Sequence, residues 1–348
     1  MVKISFNRGL GLNSRKKRGA LIISGMFRSG TSLPWRILTA DSYYNKYFYE
    51  PLHPYLPEEV KSLEIYNDYK NNPDILKSWS SSFHLKKFFL NKNDDYPELK
   101  EYLDLIIQDR SLIKFTRMTM RLGWLKNHFP NIFIINIVRD PRAVCYSYCS
   151  RQGIQILKKE NLIKKLYNDL KKKKTDKSII SLMLEDTKKE LGRIRSKHRK
   201  PSAYWHQEIL ESIIEVQHWR EYIEKLLKKE PYVKILGLWK INVEQSLKDL
   251  KSFEKDSITV IHEELCKNSK KIFEKIYSKL NIEIPSKIIN EIENKNPSHK
   301  YCKNSHKFHL KISQNWLERW KVIDDKIWKD ALEETEAIDL MKSLGYKL

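Results

Sequence analysis

Residues 25–32 read GMFRSGTS and follow a short apolar run, ALIIS, at 20–24. A strand, a glycine turn and a helix start bring backbone N–H groups together at the positive end of a helix dipole. That arrangement suits a phosphate. The loop that grips nucleoside triphosphates reads G-x-x-x-x-G-K-[ST]. Gly25 and Gly30 keep that separation, but Thr31 and Ser32 follow directly. The lysine is missing, and Arg28 stands inside the loop instead.

A second set of residues suits an anion. IFIINIV (132–138) runs straight into RDPRAVCYSYCSR (139–151). Arg139 therefore falls at the carboxyl end of an apolar strand, and Ser147 follows about two helical turns later. Pro141 fits the first turn of that helix and Asp140 its cap. An arginine fork beside a serine hydroxyl matches a dianionic phosphate monoester. Taken alone, Arg139–Asp140 reads equally well as a structural ion pair. With the first loop, the sequence offers two anion sites at strand ends.

The elements that must position these residues follow from apolar pattern. ALIIS, SLIKFT (111–116), IFIINIV and SITVIH (257–262) read as strands. IFIINIV is apolar on both faces, as in a covered parallel sheet. Helices are expected at 31–40, 97–108, between SLIKFT and IFIINIV, at 140–152, across much of 155–198, and at 203–228 and 264–280. An amphipathic helix is expected over 313–345. Pro34 falls in a first turn, where proline is tolerated. Strands alternating with helices imply an α/β, P-loop-like three-layer fold. A central, mostly parallel sheet is flanked by helices, with helical insertions, and its ligands lie at the carboxyl ends of the strands.

The chain has 348 residues, 41% of them hydrophobic, enough for one large α/β domain with inserts. We expect a basic, flexible lead-in over 1–18 and a single domain over 19–348, with inserts at about 51–110 and 155–200. The formal net charge is +22. That implies an anionic partner: nucleic acid, an acidic membrane surface, or an anionic cofactor or substrate. Residues 151–200 alone carry 17 Lys or Arg against 6 Asp or Glu. The plain reading of that stretch is a solvated helical face; the sharper one is a surface that recruits an acidic polymer. Four cysteines do not make a disulfide framework in a chain this long, which fits a reducing compartment. No run approaches the roughly 20 apolar residues that span a bilayer. A complete chain of this kind is expected to be cytoplasmic.

FRSGTS and VRDPRAVCYS, in that order, resemble the two nucleotide motifs of the sulfotransferases that use 3′-phosphoadenosine-5′-phosphosulfate (PAPS). Fainter echoes accompany them. YEPLHP (49–54) resembles a segment of the carbohydrate-type branch, and IKFTRM (113–118) the strand before the second site. VIHEELCKNSKKIFEKIYSKLNIEIP (260–285), NWLERW (315–320) and LMKSLGY (340–346) resemble later elements.

The resemblance implies roles. Loop residues Phe27, Arg28, Ser29, Gly30, Thr31 and Ser32 would hold the 5′-phosphosulfate, with Arg28 beside the bridging oxygen. Arg139 and Ser147 would hold the 3′-phosphate, which separates PAPS from ATP. No metal is required, because arginines and N–H groups neutralise the charge. Glu50 is the expected general base and His53 the runner-up, its ordinary pKa near 6.5 being suitable. The expected reaction transfers a sulfuryl group to a hydroxyl, less readily an amine, of a carbohydrate acceptor, releasing PAP, and the basic content of 51–110 and 155–200 suits an acidic or already sulfated acceptor. The plain reading of Glu50 is an exposed loop acid.

Other signals compete. His299, Cys302, His306 and His309 contain metal-ligand residue types, but with one cysteine they read better as part of a mobile basic loop. Lys300, Lys303 and Lys307 would let that loop fold over a nucleotide. Trp205, Trp219, Trp316 and Trp320 could stack on adenine or sugar, but in helical segments they read better as core. A degenerate P-loop kinase or NTPase is an alternative, weakened by the missing lysine. A polyanion-binding protein is another, resting on charge alone without a recognition module.

Overall fold

The computed structural model describes residues 19–152, apart from 63, 64 and 66, together with 205–293 and 317–348. The lead-in at 1–18, the basic insert, the histidine–cysteine set at 299–309 and Trp316 lie outside the described residues.

Five strands form one sheet in the order β2-β3-β1-β4-β5. They are β1 (Ala20–Ser24), β2 (Lys46–Tyr49), β3 (Ser111–Phe115), β4 (Ile132–Val138) and β5 (Ser257–Ile261). Every pairing is parallel. β1, β3 and β4 are buried along their whole length, as their largely apolar runs lead one to expect, and the polar residues among them, Ser24, Ser111, Lys114 and Asn136, are buried too. Side chains alternate between faces. Ile22, Ile113 and Ile134 pack with Leu99, Leu103, Trp124 and Leu125 on one side. Leu21, Ile23, Leu112, Ile135 and Ile137 pack with Trp35, Leu265 and Phe273 on the other. This is the expected α/β architecture, a parallel five-stranded sheet between helices.

Four of the strands and the helices Ser32–Leu38, Leu122–His128 and Pro141–Gln152 fall where the apolar pattern puts them. Other expectations need correction. The edge strand β2, KYFY, was not anticipated; it is short and only one of its residues is buried, so it carries little apolar signal. The 21-residue helix Pro231–Lys251 was also missed. Its first half, 233–243, is buried nearly all round, which blurs the helical period, and Gly237 interrupts its pattern. That glycine is a contact point: a Cβ there would meet Leu226 at 2.4 Å.

The helix expected at 97–108 ends at Asp104. The span 264–280 is two helices, His262–Lys267 and Ser269–Lys279, broken at Asn268 (φ −129°, ψ 46°). Within 203–228 the helices Trp205–Ser212 and Arg220–Leu227 are separate. Of the span 313–345, the described residues from 317 on form a short 3₁₀ turn at Arg319–Val322 and two helices, Asp325–Glu334 and Ile338–Ser343. Glu336, with φ +51°, turns the chain between those two helices.

Candidate active site

A parallel sheet places the carboxyl ends of all its strands on one edge. The residues that leave those ends are the candidate site: the loop 25–31 after β1, Glu50 after β2, Thr116 and Arg117 after β3, Arg139 after β4, and His262 after β5.

The loop after β1 is tightly held. A Cβ on Gly25 would lie 2.7 Å from the Ile137 carbonyl, so the chain passes close against β4. Arg28 (φ +67°) and Gly30 (φ +86°) both have left-handed backbone. The first is unusual for a side chain and marks a turn imposed by its surroundings. A Cβ on Gly30 would sit 2.3 Å from the His262 ring, so only glycine fits there. Ser29 N–H donates to the Met26 carbonyl at 3.1 Å and closes the turn. The N–H groups of Gly30, Thr31 and Ser32 have no backbone partner among the described residues. Ser29 and Thr31 are buried, and Ser32 shares a hydrogen bond with the Tyr49 hydroxyl at 2.8 Å. Phe27 leans against Tyr148 with ring centroids 4.9 Å apart.

The second motif meets this loop directly. Arg28 donates to the Ser147 hydroxyl from Nε (2.9 Å) and Nη2 (2.7 Å). Arg139 donates from Nη1 to the Arg28 carbonyl at 3.0 Å. Its Nε is buried without a hydrogen-bond partner among the described residues. Burial pulls the Arg139 pKa down, and Glu263, Cys266, Asp140 and Tyr346 act against it. Trp239, on the long core helix, donates to the Arg139 carbonyl at 2.9 Å.

Asp140 accepts from Arg142 N–H at 2.8 Å, the expected cap, and pairs with the Arg142 guanidinium rather than with Arg139. Arg142 in turn stacks 3.8 Å from the Trp320 ring. The acid nearest in charge effect to Arg139 is Glu263, which accepts from Asp140 N–H (3.2 Å) and from the Tyr346 hydroxyl (2.9 Å).

At the β2 end, Glu50 is buried and not an exposed loop acid, with φ +51°. Its carboxylate pairs with Lys114 and accepts from Thr116 N–H (3.0 Å) and Thr116 Oγ1 (2.8 Å). Burial alone would raise this carboxyl. The charges of Lys114 and Arg117 and the hydrogen bonds of Lys114 and Thr116 outweigh it, holding Glu50 below its ordinary value. Burial would lower Lys114, but Glu50 and Tyr49 hold it up.

His53 lies beside them. Its Nδ1 accepts from Tyr55 N–H at 3.2 Å, so the neutral ring carries its proton on Nε2. Burial, together with Arg117, Lys114 and His84 against Glu50, takes it down to about 4.

The structure therefore brings Phe27–Ser32, Arg139 and Ser147 into one cluster and puts Glu50 and His53 on the same sheet edge. Sequence reasoning missed Lys114, Thr116, Arg117, Trp205, His262 and Glu263. For all but Trp205 the available signal was position: each stands in or just after an apolar run that proved to be a strand. No group of three or more potential metal-ligating side chains occurs among the described residues. Among those residues, no helix is long and apolar enough to cross a membrane.

Residues 20–173 match the family model described as the sulfotransferase family. No curated protein matches the chain. Solved structures with a similar outline include the sulfotransferase domain of the curacin biosynthetic pathway. It shares 13% identity at a TM-score of 0.46, covering 95% of this chain and 98% of that one. The sulfotransferase domain of the Synechococcus PCC 7002 olefin synthase shares 14% identity at 0.41, covering 94% of each. Sulfotransferase STF1 from Mycobacterium tuberculosis H37Rv shares 11% at 0.44, covering 86% of this chain and 76% of that one. The family match spans both anion motifs, Glu50 and four of the five strands, and over these residues the chain is similar to the sulfotransferase family, a family of transferases.

Proposed function

We propose that the chain transfers a sulfuryl group from PAPS to a hydroxyl of a carbohydrate acceptor and releases PAP. The observation that carries this reading is the meeting of Arg28, Ser147 and Arg139 at the ends of β1 and β4. Two arginines, a hydroxyl and the N–H groups of Gly30, Thr31 and Ser32 suit a nucleotide that carries two separate phosphates. The buried, unpartnered Nε of Arg139 is what such a ligand would satisfy, since a buried donor left alone is costly.

PAPS, when bound, supplies an activated sulfuryl group on its 5′-phosphate. Phe27–Ser32 would hold that end, and Arg139 with Ser147 the 3′-phosphate. Arg28 lies between the two and would stabilise the charge that gathers on the departing phosphate. Arginine and backbone donors supply this neutralisation, so the proposal needs no magnesium.

Glu50 would take the proton of the acceptor hydroxyl as the new oxygen–sulfur bond forms. Lys114 and Thr116 hold its carboxylate ionised and fixed in direction. Their hold also makes it a weak base, so orientation must contribute more than basicity. His53, neutral at pH 7, is the runner-up, and to take the proton its Nδ1 would have to give up the Tyr55 N–H. YEPLHP, with Glu50 and His53 in it, is the basis for choosing a sugar hydroxyl.

The test is thermal stabilisation of the pure protein by PAP, adenosine 5′-phosphate, and ATP with magnesium. A ligand that binds the folded state raises the melting temperature by mass action. A shift with PAP alone, abolished by Arg139→Ala, is expected. A larger shift with ATP and magnesium would return the loop to a kinase-like reading.

A further inference from the structure

Arg139 has an acid for a neighbour, and the two do not bond. Of the groups whose charge supports Arg139 against burial, Glu263 acts most strongly. Among the described residues no hydrogen bond joins them, because both carboxylate oxygens are engaged elsewhere. Oε1 accepts from Asp140 N–H at 3.2 Å and Oε2 from the Tyr346 hydroxyl at 2.9 Å. Arg139 donates from Nη1 to the Arg28 carbonyl, and its buried Nε has no hydrogen-bond partner among the described residues. A carboxylate able to turn would take such a donor, since the pairing is charge-assisted and water competes little at a buried arginine.

The sequence LGY aims Tyr346 at this point. Gly345, with φ +84°, closes the helix Ile338–Ser343. Its N–H donates to the Lys342 carbonyl at 2.9 Å, and Tyr346 N–H to the Met341 carbonyl at 3.0 Å. The next residue is tied as well. The Lys347 carbonyl accepts from Arg142 Nη2 at 2.6 Å, and Arg142 stacks on Trp320 and pairs with Asp140. Two consecutive residues therefore hold Glu263, just past β5, and Arg142, in the first turn of the helix that follows Arg139. Burial and the charge of Glu263 raise the Tyr346 phenol well above its ordinary value, so it keeps its proton and donates.

We propose that Tyr346 is a positioning residue of the donor site: its hydroxyl holds Glu263 off Arg139 and so keeps the arginine for a phosphate. This rests on the sulfuryl-transfer reading and adds to it a residue that touches neither substrate. Without the hydroxyl, one oxygen of Glu263 loses its donor. The carboxylate then turns to the Nε of Arg139 and competes with the 3′-phosphate for the same cation. Only a ligand that carries a 3′-phosphate is affected.

The test is isothermal titration of PAP and of adenosine 5′-phosphate into three proteins: the unmodified chain, Tyr346→Phe, and Tyr346→Phe combined with Glu263→Gln. Cooperative melting without ligand shows that each variant folds. Tyr346→Phe is expected to weaken PAP by about tenfold, the value of one hydrogen bond to a charged group. Binding of adenosine 5′-phosphate should change little. Adding Glu263→Gln removes the competing charge and should return most of the lost PAP affinity, which a merely structural role for Tyr346 would not allow. No loss of PAP affinity in Tyr346→Phe, an equal loss for both nucleotides, or no recovery in the double variant would overturn the inference. Failure of the unmodified protein to bind PAP would instead remove the sulfuryl-transfer reading, and this inference with it.

Discussion

The guanidinium of Arg28 donates two hydrogen bonds to the hydroxyl of Ser147, joining the loop after β1 to the helix after β4. The two residues stand 119 positions apart in the chain. Each was expected at a different phosphate, and the structure puts them in contact. The tension in Arg28's left-handed backbone is held in place by this contact and by Arg139, which grips its carbonyl.

Ser147→Ala is therefore expected to weaken PAP binding by about tenfold, the value of one hydrogen bond to a charged group. Binding of adenosine 5′-phosphate should change little. Isothermal titration of both ligands checks this. An equal loss for both would mean that Ser147 supports the loop and does not read the 3′-phosphate.

Glu50→Gln should lower turnover by about 10²- to 10⁴-fold, the usual contribution of a positioned proton acceptor. The dissociation constant for PAP should stay the same. If the variant keeps full activity, His53 becomes the base, and His53→Ala is the next measurement.

Lys114→Met leaves the Glu50 carboxylate buried without its cation. Removing one partner of a buried pair costs about 3–5 kcal/mol. Both side chains are buried here, so solvent relieves little of that cost. Urea unfolding of the variant gives the number, and a loss under 1 kcal/mol would show that water reaches the pair.

Gly30→Ala forces a methyl group into the His262 ring at 2.3 Å and demands φ +86° of an alanine. Overpacking of this kind costs about 1–3 kcal/mol, to which backbone strain adds. Pairing it with His262→Ala should return part of the stability, because the ring is the obstacle. No recovery in the double variant would place the whole effect in the backbone.

Acid should destabilise the protein well before its carboxylates titrate. Burial lowers His53 and His206 to about 4, and His262 to about 3, with Arg117, Lys234 and Arg139 adding to the respective shifts. These rings stay neutral when folded and protonate near 6.5 when unfolded. Their contribution to stability is complete above pH 6.5 and is lost as pH falls toward 4. Glu50, held below its ordinary value, extends the loss in the same direction at lower pH. Melting temperatures should be level from pH 7.5 to 6.5 and fall from 6.5 to 4. A flat profile between 6.5 and 4.5 would show that these histidines are open to solvent.

The sequence by itself determined four strands, the loop after β1, the helix after β4 and the identities of Arg28, Arg139 and Ser147. These are local: a mostly apolar run of five to seven residues, a glycine at a turn and a proline at a helix start each report on a few neighbours. Glu50 was readable as a candidate but its burial was not. Whether an acid meets Lys114 and Thr116 depends on pairing β2 with β3, across some sixty residues of loops and short helices. The edge strand KYFY and the core helix Pro231–Lys251 were illegible for opposite reasons, one having too little apolar signal and the other a first half buried nearly all round.

Only the tertiary structure decided that His262 fills the space beneath Gly30, that Arg142 takes Asp140, and that the Arg117 guanidinium packs over the Trp205 ring. The physical reason is the parallel sheet. It gathers the ends of five strands distant in sequence onto one edge, and the charges brought together there set each other's protonation and partners.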